Sequence, residues 1–168
     1  MIFRNAARSV SGFMAALLIS GCMASAAPSP ASVPARLTGN WAVTSAKVNT
    51  SGIAAYLPDD PALLALRLTV SADRLSMDGH ACESPRVVSE TLPFETLITQ
   101  TYEASPADMG IAPAGKDHVT HFITCGKGDI GPDYDRGSWI AEMESDIIAM
   151  NWFDSVLLVL KRVGPAGA

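Results

Sequence analysis

From Leu37 to Val163 the chain alternates apolar and polar residues in short runs separated by turn formers, and helical periodicity is weak. Period-two alternation puts successive side chains on opposite faces of an extended strand, so each run reads as a half-buried strand. Leu66, Leu68 and Val70 alternate with Arg67, Thr69 and Ser71; Leu75 and Met77 resume after Ser71-Ala72-Asp73, a hairpin that ends at Asp78-Gly79. Trp41 to Val48 opens the series, His118 to Cys125 is rich in β-branched and aromatic residues, and Arg86 to Ser89 and Glu95 to Tyr102 are weaker strand candidates. Ser138 to Met143, Ile147 to Trp152 and Val156 to Val163 close as a meander. Two short helical turns are expected, at Pro61 to Leu66 behind Asp59 or Asp60, and at Ser105 to Met109, where a capping residue precedes proline. Residues 112–116 and 126–137 read as loop.

About eight short strands in 168 residues, 48% of them hydrophobic, predict one all-β domain, a small antiparallel barrel closed enough to hide its edges. The 17% charged content is too low for wholesale disorder, and the net charge of −5 excludes the broad positive field that nucleic-acid binding requires. No segment approaches the roughly 20 apolar residues of a spanning helix.

The N-terminus reads as an address. Arg4 and Arg8 precede the apolar stretch Val10 to Ile19, and Ile19-Ser20-Gly21-Cys22 resembles the lipobox of bacterial lipoproteins. The resemblance implies a signal peptide over 1–21, lipid on Cys22 and a tether over 22–36, an Ala/Ser/Pro stretch with one charge, Arg36. The folded domain is then 37–168. Met23, in place of Asp, resembles the outer-membrane default of the sorting rule, which implies a domain facing the periplasm. The alternative is cleavage after Ala24-Ser25-Ala26 and a soluble periplasmic or secreted product. Residues 1–21 hold two of the twelve Lys+Arg and none of the 17 Asp+Glu, so their removal takes the charge from −5 to −7. Such a body repels anionic lipid and steers cationic partners toward itself.

With Cys22 assigned to lipid, Cys82 and Cys125 remain as a pair. In an oxidising envelope they are expected to form a disulfide closing a loop of about 43 residues, contributing about 3–4 kcal/mol in the chain-entropy model. The rival is a Cys82 nucleophile beside His80; residues i and i+2 of a strand share a face, but their side chains diverge.

Leu37-Thr38-Gly39-Asn40-Trp41 resembles the Gly-x-Trp opening of calycins, and Val156 to Arg162 resembles their closing strand. The resemblance implies that Arg162 (or Lys161) lies across Trp41 and shuts one barrel end, a cation–π contact of about 0.5–2 kcal/mol. The second lipocalin motifs are absent. In layout the chain is also similar to META-type exported domains and to bacterial inhibitors of proteases and lysozyme: Gly-x-Trp start, one disulfide, all-β body. Cys82 is followed by Glu83 where the META pattern has Asn.

No nucleophile elbow, phosphate-binding glycine loop or zincin helix is present, so no catalytic residue and no cofactor is assigned. His118 and His121, three apart on a strand, face opposite sides and cannot chelate one ion together; no metal is assigned. Asp129, Asp133 and Asp135 in the glycine-rich loop fail the EF-hand spacing and read as a solvated turn. Glu142 and Glu144 read as an exposed charged face. Trp152-Phe153-Asp154 falls at a hairpin tip, where an aromatic either anchors a partner or folds over the barrel end. The expectation is a membrane-anchored binding module, not an enzyme, whose contacts are Asp133, Tyr134, Asp135, Trp152, Phe153 and Asp154. Its partner would be a cationic protein such as a lysozyme or protease. The alternatives are a carrier of a small hydrophobic ligand and a structural envelope protein.

Overall fold

The computed structural model describes residues 32–50, 54–111, 115–133 and 136–164. Cys22, the signal segment, most of the tether, and Tyr134 and Asp135 lie outside the described residues. Ten strands form one curled antiparallel sheet: β1 (Gly39–Val48), β2 (Arg67–Val70), β3 (Arg74–Met77), β4 (His80–Glu83), β5 (Arg86–Pro93), β6 (Asp117–Thr124), β7 (Lys127–Gly128), β8 (Ser138–Glu144), β9 (Ile147–Trp152) and β10 (Val156–Gly164). Their order is β5-β6-β8-β9-β10-β1-β2-β3-β4-β7. Two short helices, α1 (Pro61–Leu64) and α2 (Phe94–Tyr102), complete it.

The two ends of this order are covalently joined. Only Ser84 and Pro85 separate β4 from β5, and only Cys125 and Gly126 separate β6 from β7. The pairing keeps one register across both breaks: Cys82 faces Gly128 and Glu83 faces Lys127, then Arg86 faces Thr124 and Val87 faces Ile123. The Gly126 N–H donates to the Glu83 carbonyl at 2.9 Å, and the Cys82–Cys125 disulfide crosses the same point with Cα atoms 5.0 Å apart.

On the concave face Trp41, Leu68, Leu75, Met77, Ile140, Ile148, Met150 and Leu158 belong to one buried cluster. In β1 the inward set changes parity, from Trp41 and Val43 to Ala46 and Val48, because Thr44 is an extra residue against β10. Its hydroxyl donates to the Val159 carbonyl.

On the convex face Trp139, Ala141, Ala149 and Leu157 pack under α2 in a second cluster. The weak strand expected over Glu95 to Tyr102 is instead this helix. Phe94, Leu97, Ile98 and Tyr102 are buried at helical spacing, and a strand would have sent half of them to solvent. The turn expected at Pro61 forms as α1, with the Asp60 carboxylate accepting from the Ala62 N–H. At Ser105 a hydrogen-bonded turn forms, with the Ser105 hydroxyl donating to Asp108.

Packing begins before Leu37. Val33 is 6% exposed within the main cluster, and a 3₁₀ turn at Ala35–Leu37 buries Leu37. This strap carries the chain into the first strand, so residues 33–36 are part of the folded body and not tether.

Candidate functional site

The register of β1 on β10 defines two ends. Trp41 faces Arg162 at one, and Val48 faces Val156 at the other, where the β9–β10 turn lies. At the first end the Arg162 guanidinium sits 4.1 Å from the Trp41 ring centroid. It donates to the carbonyls of Thr38 (2.6 Å) and Arg36 (2.5 Å) and pairs with Asp146 at 3.3 Å, while the Trp41 indole N–H donates to the Leu37 carbonyl at 2.9 Å. One arginine thereby ties the last strand to the strap, over an aromatic face that suits a weakly hydrated cation.

At the opposite end three segments meet. Phe153, Asp154 and Ser155 make the β9–β10 turn, with left-handed φ of 56° at Asp154 and 58° at Ser155. Across from it run β7 and the loop to β8. Gly128 has φ +76°, and a Cβ there would collide with the Ala81 carbonyl, so only glycine lets β7 approach β4. His80 opens β4: its Nδ1 lies 2.5 Å from Asp129 Oδ1, and its ring stacks 4.4 Å from Phe153 and 5.4 Å from Trp152. The loop is pinned from beneath by Asn151, whose amide donates to the Gly137 carbonyl, while Asn151 Oδ1 accepts from the Tyr102 hydroxyl. The Ser138 hydroxyl holds the Pro132 carbonyl.

The result is a surface hollow of about 630 Å³ between Gly128, Asp129, Gly131, Pro132 and Asp133 on one side and Phe153, Asp154 and Ser155 on the other. Asp129, Asp133 and Asp154 are exposed and Phe153 is half-buried. Of the contact residues expected from sequence, Asp133, Phe153 and Asp154 border this hollow. Trp152 does not belong with them. It is 5% exposed because Ile148, Met150 and Trp152 form the inward face of β9, so a partner cannot reach its indole.

A second polar constellation was not foreseen. On the concave face the Ser89 hydroxyl is 2.8 Å from His121 Nδ1, and His121 Nε2 is 2.5 Å from Glu142 Oε1. His121 is 2% exposed. Glu142 therefore is not on an exposed charged face: β8 turns it inward with Ile140, and Arg36 of the strap binds the same Oε1. These four residues come from the strap, β5, β6 and β8, too far apart in sequence for spacing to reveal them. Buried charge in an apolar interior is retained only when paired, and here each group has its partner. His118, as its position implies, faces the other side, its ring 5.6 Å from Phe94 beneath α2.

Among the described residues no three His, Cys, Asp or Glu side chains converge as a metal site would require. No family model, no curated protein and no solved structure matches this chain.

Proposed function

We propose that this chain is an envelope-anchored binding module whose acidic, aromatic loop end engages a cationic protein. The observation that carries the reading is that the two ends of the curled sheet differ. The chain enters at the Trp41 end through the strap, and the Asp129, Asp133, Phe153 and Asp154 hollow opens at the other. A tether from Cys22 to Ser32 reaches at most about 35–40 Å when extended, so the loop end would face away from the membrane that holds the lipid. A half-buried aromatic ring bordering the same hollow as three aspartates favours a lysine or arginine side chain, which gains both Coulomb attraction and cation–π contact. A lysozyme or a basic protease fits that chemistry, and a loop covering its cleft would inhibit it.

The unbroken register from β4 into β5 and from β6 into β7 supports an eight-stranded, calycin-like barrel, each pair counted as one bent strand. We read the protein as acting by binding and not by turnover. The buried apolar cluster on the concave face favours this over the carrier reading.

The test is an oxidised bait starting at Ser25, which retains Val33, compared with the Asp129→Asn/Asp133→Asn/Asp154→Asn variant against purified basic enzymes and envelope extract. A basic protein held by the parent at low salt and lost from the variant supports the reading. Equal retention by both baits contradicts it.

A further inference from the structure

Among the described residues the strap makes one ion pair, from Arg36 to Glu142, and the buried histidine shares its oxygen. Arg36 and His121 both bind Oε1 of Glu142; the strap is also held by Leu37 and Val33 in the core, by the Arg162 guanidinium donating to the carbonyls of Arg36 and Thr38, and by the Trp41 indole N–H on the Leu37 carbonyl. The histidine keeps both of its own hydrogen bonds in either protonation state. With neutral His121, Nε2–H donates to Glu142 and Nδ1 accepts from the Ser89 hydroxyl. With an added proton on Nδ1, the ring donates to Ser89, whose oxygen can accept after its hydrogen rotates away.

Electrostatically the two states differ. The imidazolium places a second cation against the oxygen that Arg36 uses, so the carboxylate is already compensated and the two cations repel. We propose that His121 is a proton-operated latch on the N-terminal strap. Neutral, it leaves Glu142 to hold Arg36; protonated, it displaces Arg36 and loosens residues 33–37 from the barrel mouth.

The other charges at this face do not reverse the sign. Glu144 lines the same surface hollow as Arg36 and Glu142, Asp146 is engaged with Arg162, and Asp117 lies exposed at the far end of β6. From β5 only the neutral Ser89 reaches His121; Arg86 and Glu90 belong to the alternate face. Histidine is the side chain suited to such a device because its charge changes between about pH 5 and 8. The strap continues into the chain that leads to Cys22, so the latch would set how firmly the domain is drawn to its tether.

The experiment is a pH titration by NMR on the oxidised domain starting at Ser25. The His121 ring is followed alongside the Leu37 amide and the Trp41 indole N–H, which donates to the Leu37 carbonyl and reports the docked strap. The strap signals are expected to follow the His121 titration, with the open fraction rising roughly tenfold on acidification, a common size for coupling between two sites. In His121→Gln they stay flat. In Arg36→Gln, an exposed substitution that leaves the core intact, the strap is looser at every pH and its response is lost. Strap signals that stay flat while His121 titrates, a ring that does not titrate between about pH 4.5 and 8.5, or an unchanged response in Arg36→Gln would each overturn the latch.

Discussion

At the scale of single residues, two positions are dictated by backbone geometry. Gly128→Ala would add a Cβ into the Ala81 carbonyl at a left-handed φ, so β7 must separate from β4. Lost bridges and backbone strain are expected to cost about 2–4 kcal/mol in chemical denaturation. Asp59 is the other. Its Oδ1 accepts from the Ala46 N–H and the Ser45 hydroxyl, both at 2.8 Å, and its φ is 55°. These bonds, the Ala46 N–H foremost, hold its carboxyl below the ordinary 3.8. The unfolded chain therefore takes up the proton first, and the contribution of Asp59 is full above about pH 5 and lost as pH falls below that ordinary value. Asp59→Asn keeps the left-handed conformation and an acceptor. It is expected to cost about 0.5–1 kcal/mol at pH 7, a difference that narrows in urea titrations as pH falls below the ordinary carboxyl value. Residue roles were legible where a local pattern named them, as for Trp41 in Gly-x-Trp and the Cys82, Cys125 pair. His121 and Glu142 were not: their partnership depends on three strands and a strap meeting on one face, and a glutamate among alternating residues looks the same whether it points in or out.

At the scale of elements, the loop that carries the candidate site hangs on Asn151. This buried side chain joins the Tyr102 hydroxyl at the end of α2 to the Gly137 carbonyl before β8. Asn151→Ala is expected to destabilise by about 1–2 kcal/mol, because the Gly137 carbonyl loses its amide donor while the Tyr102 hydroxyl keeps the Val156 carbonyl. The same change should speed amide exchange at Gly131, Asp133 and residues 136–138 more than in β1. Most strands could be read from alternation because one face meets the core and the other meets solvent. Where α2 covers the second face, at β8 to β10, both faces are apolar and alternation fades into a continuous buried run. The helix was misread for a related reason. Its residues are β-branched, aromatic and threonine-rich, and only the spacing of Phe94, Leu97, Ile98 and Tyr102 marks it as helical. The bulge at Thr44 left no sequence signal, since one extra polar residue in a polar-apolar alternation resembles ordinary variation.

At the scale of the whole molecule, the two ends of the sheet differ in what they gather. One end receives the chain, stacks Arg162 on Trp41 and fastens the strap; the other gathers Asp129, Asp133, Phe153 and Asp154 around an open hollow. The disulfide and the Gly126–Glu83 bond stand between the β4–β7 and β5–β6 pairings, so the loop following Gly128 starts from a covalently fixed point. A preordered loop loses less conformational entropy on binding, which favours recognition by shape and charge. The sequence made the all-β class readable. Which end does what required the register. The most direct measurement is a titration of a basic lysozyme and a basic serine protease with the oxidised domain, reading enzyme activity and bound stoichiometry at low and high salt. The account expects saturable one-to-one binding to a basic enzyme that weakens with salt and is lost in the Asp129→Asn/Asp133→Asn/Asp154→Asn variant. Binding that is indifferent to salt and to those three substitutions, or no binding to any basic enzyme, would contradict it.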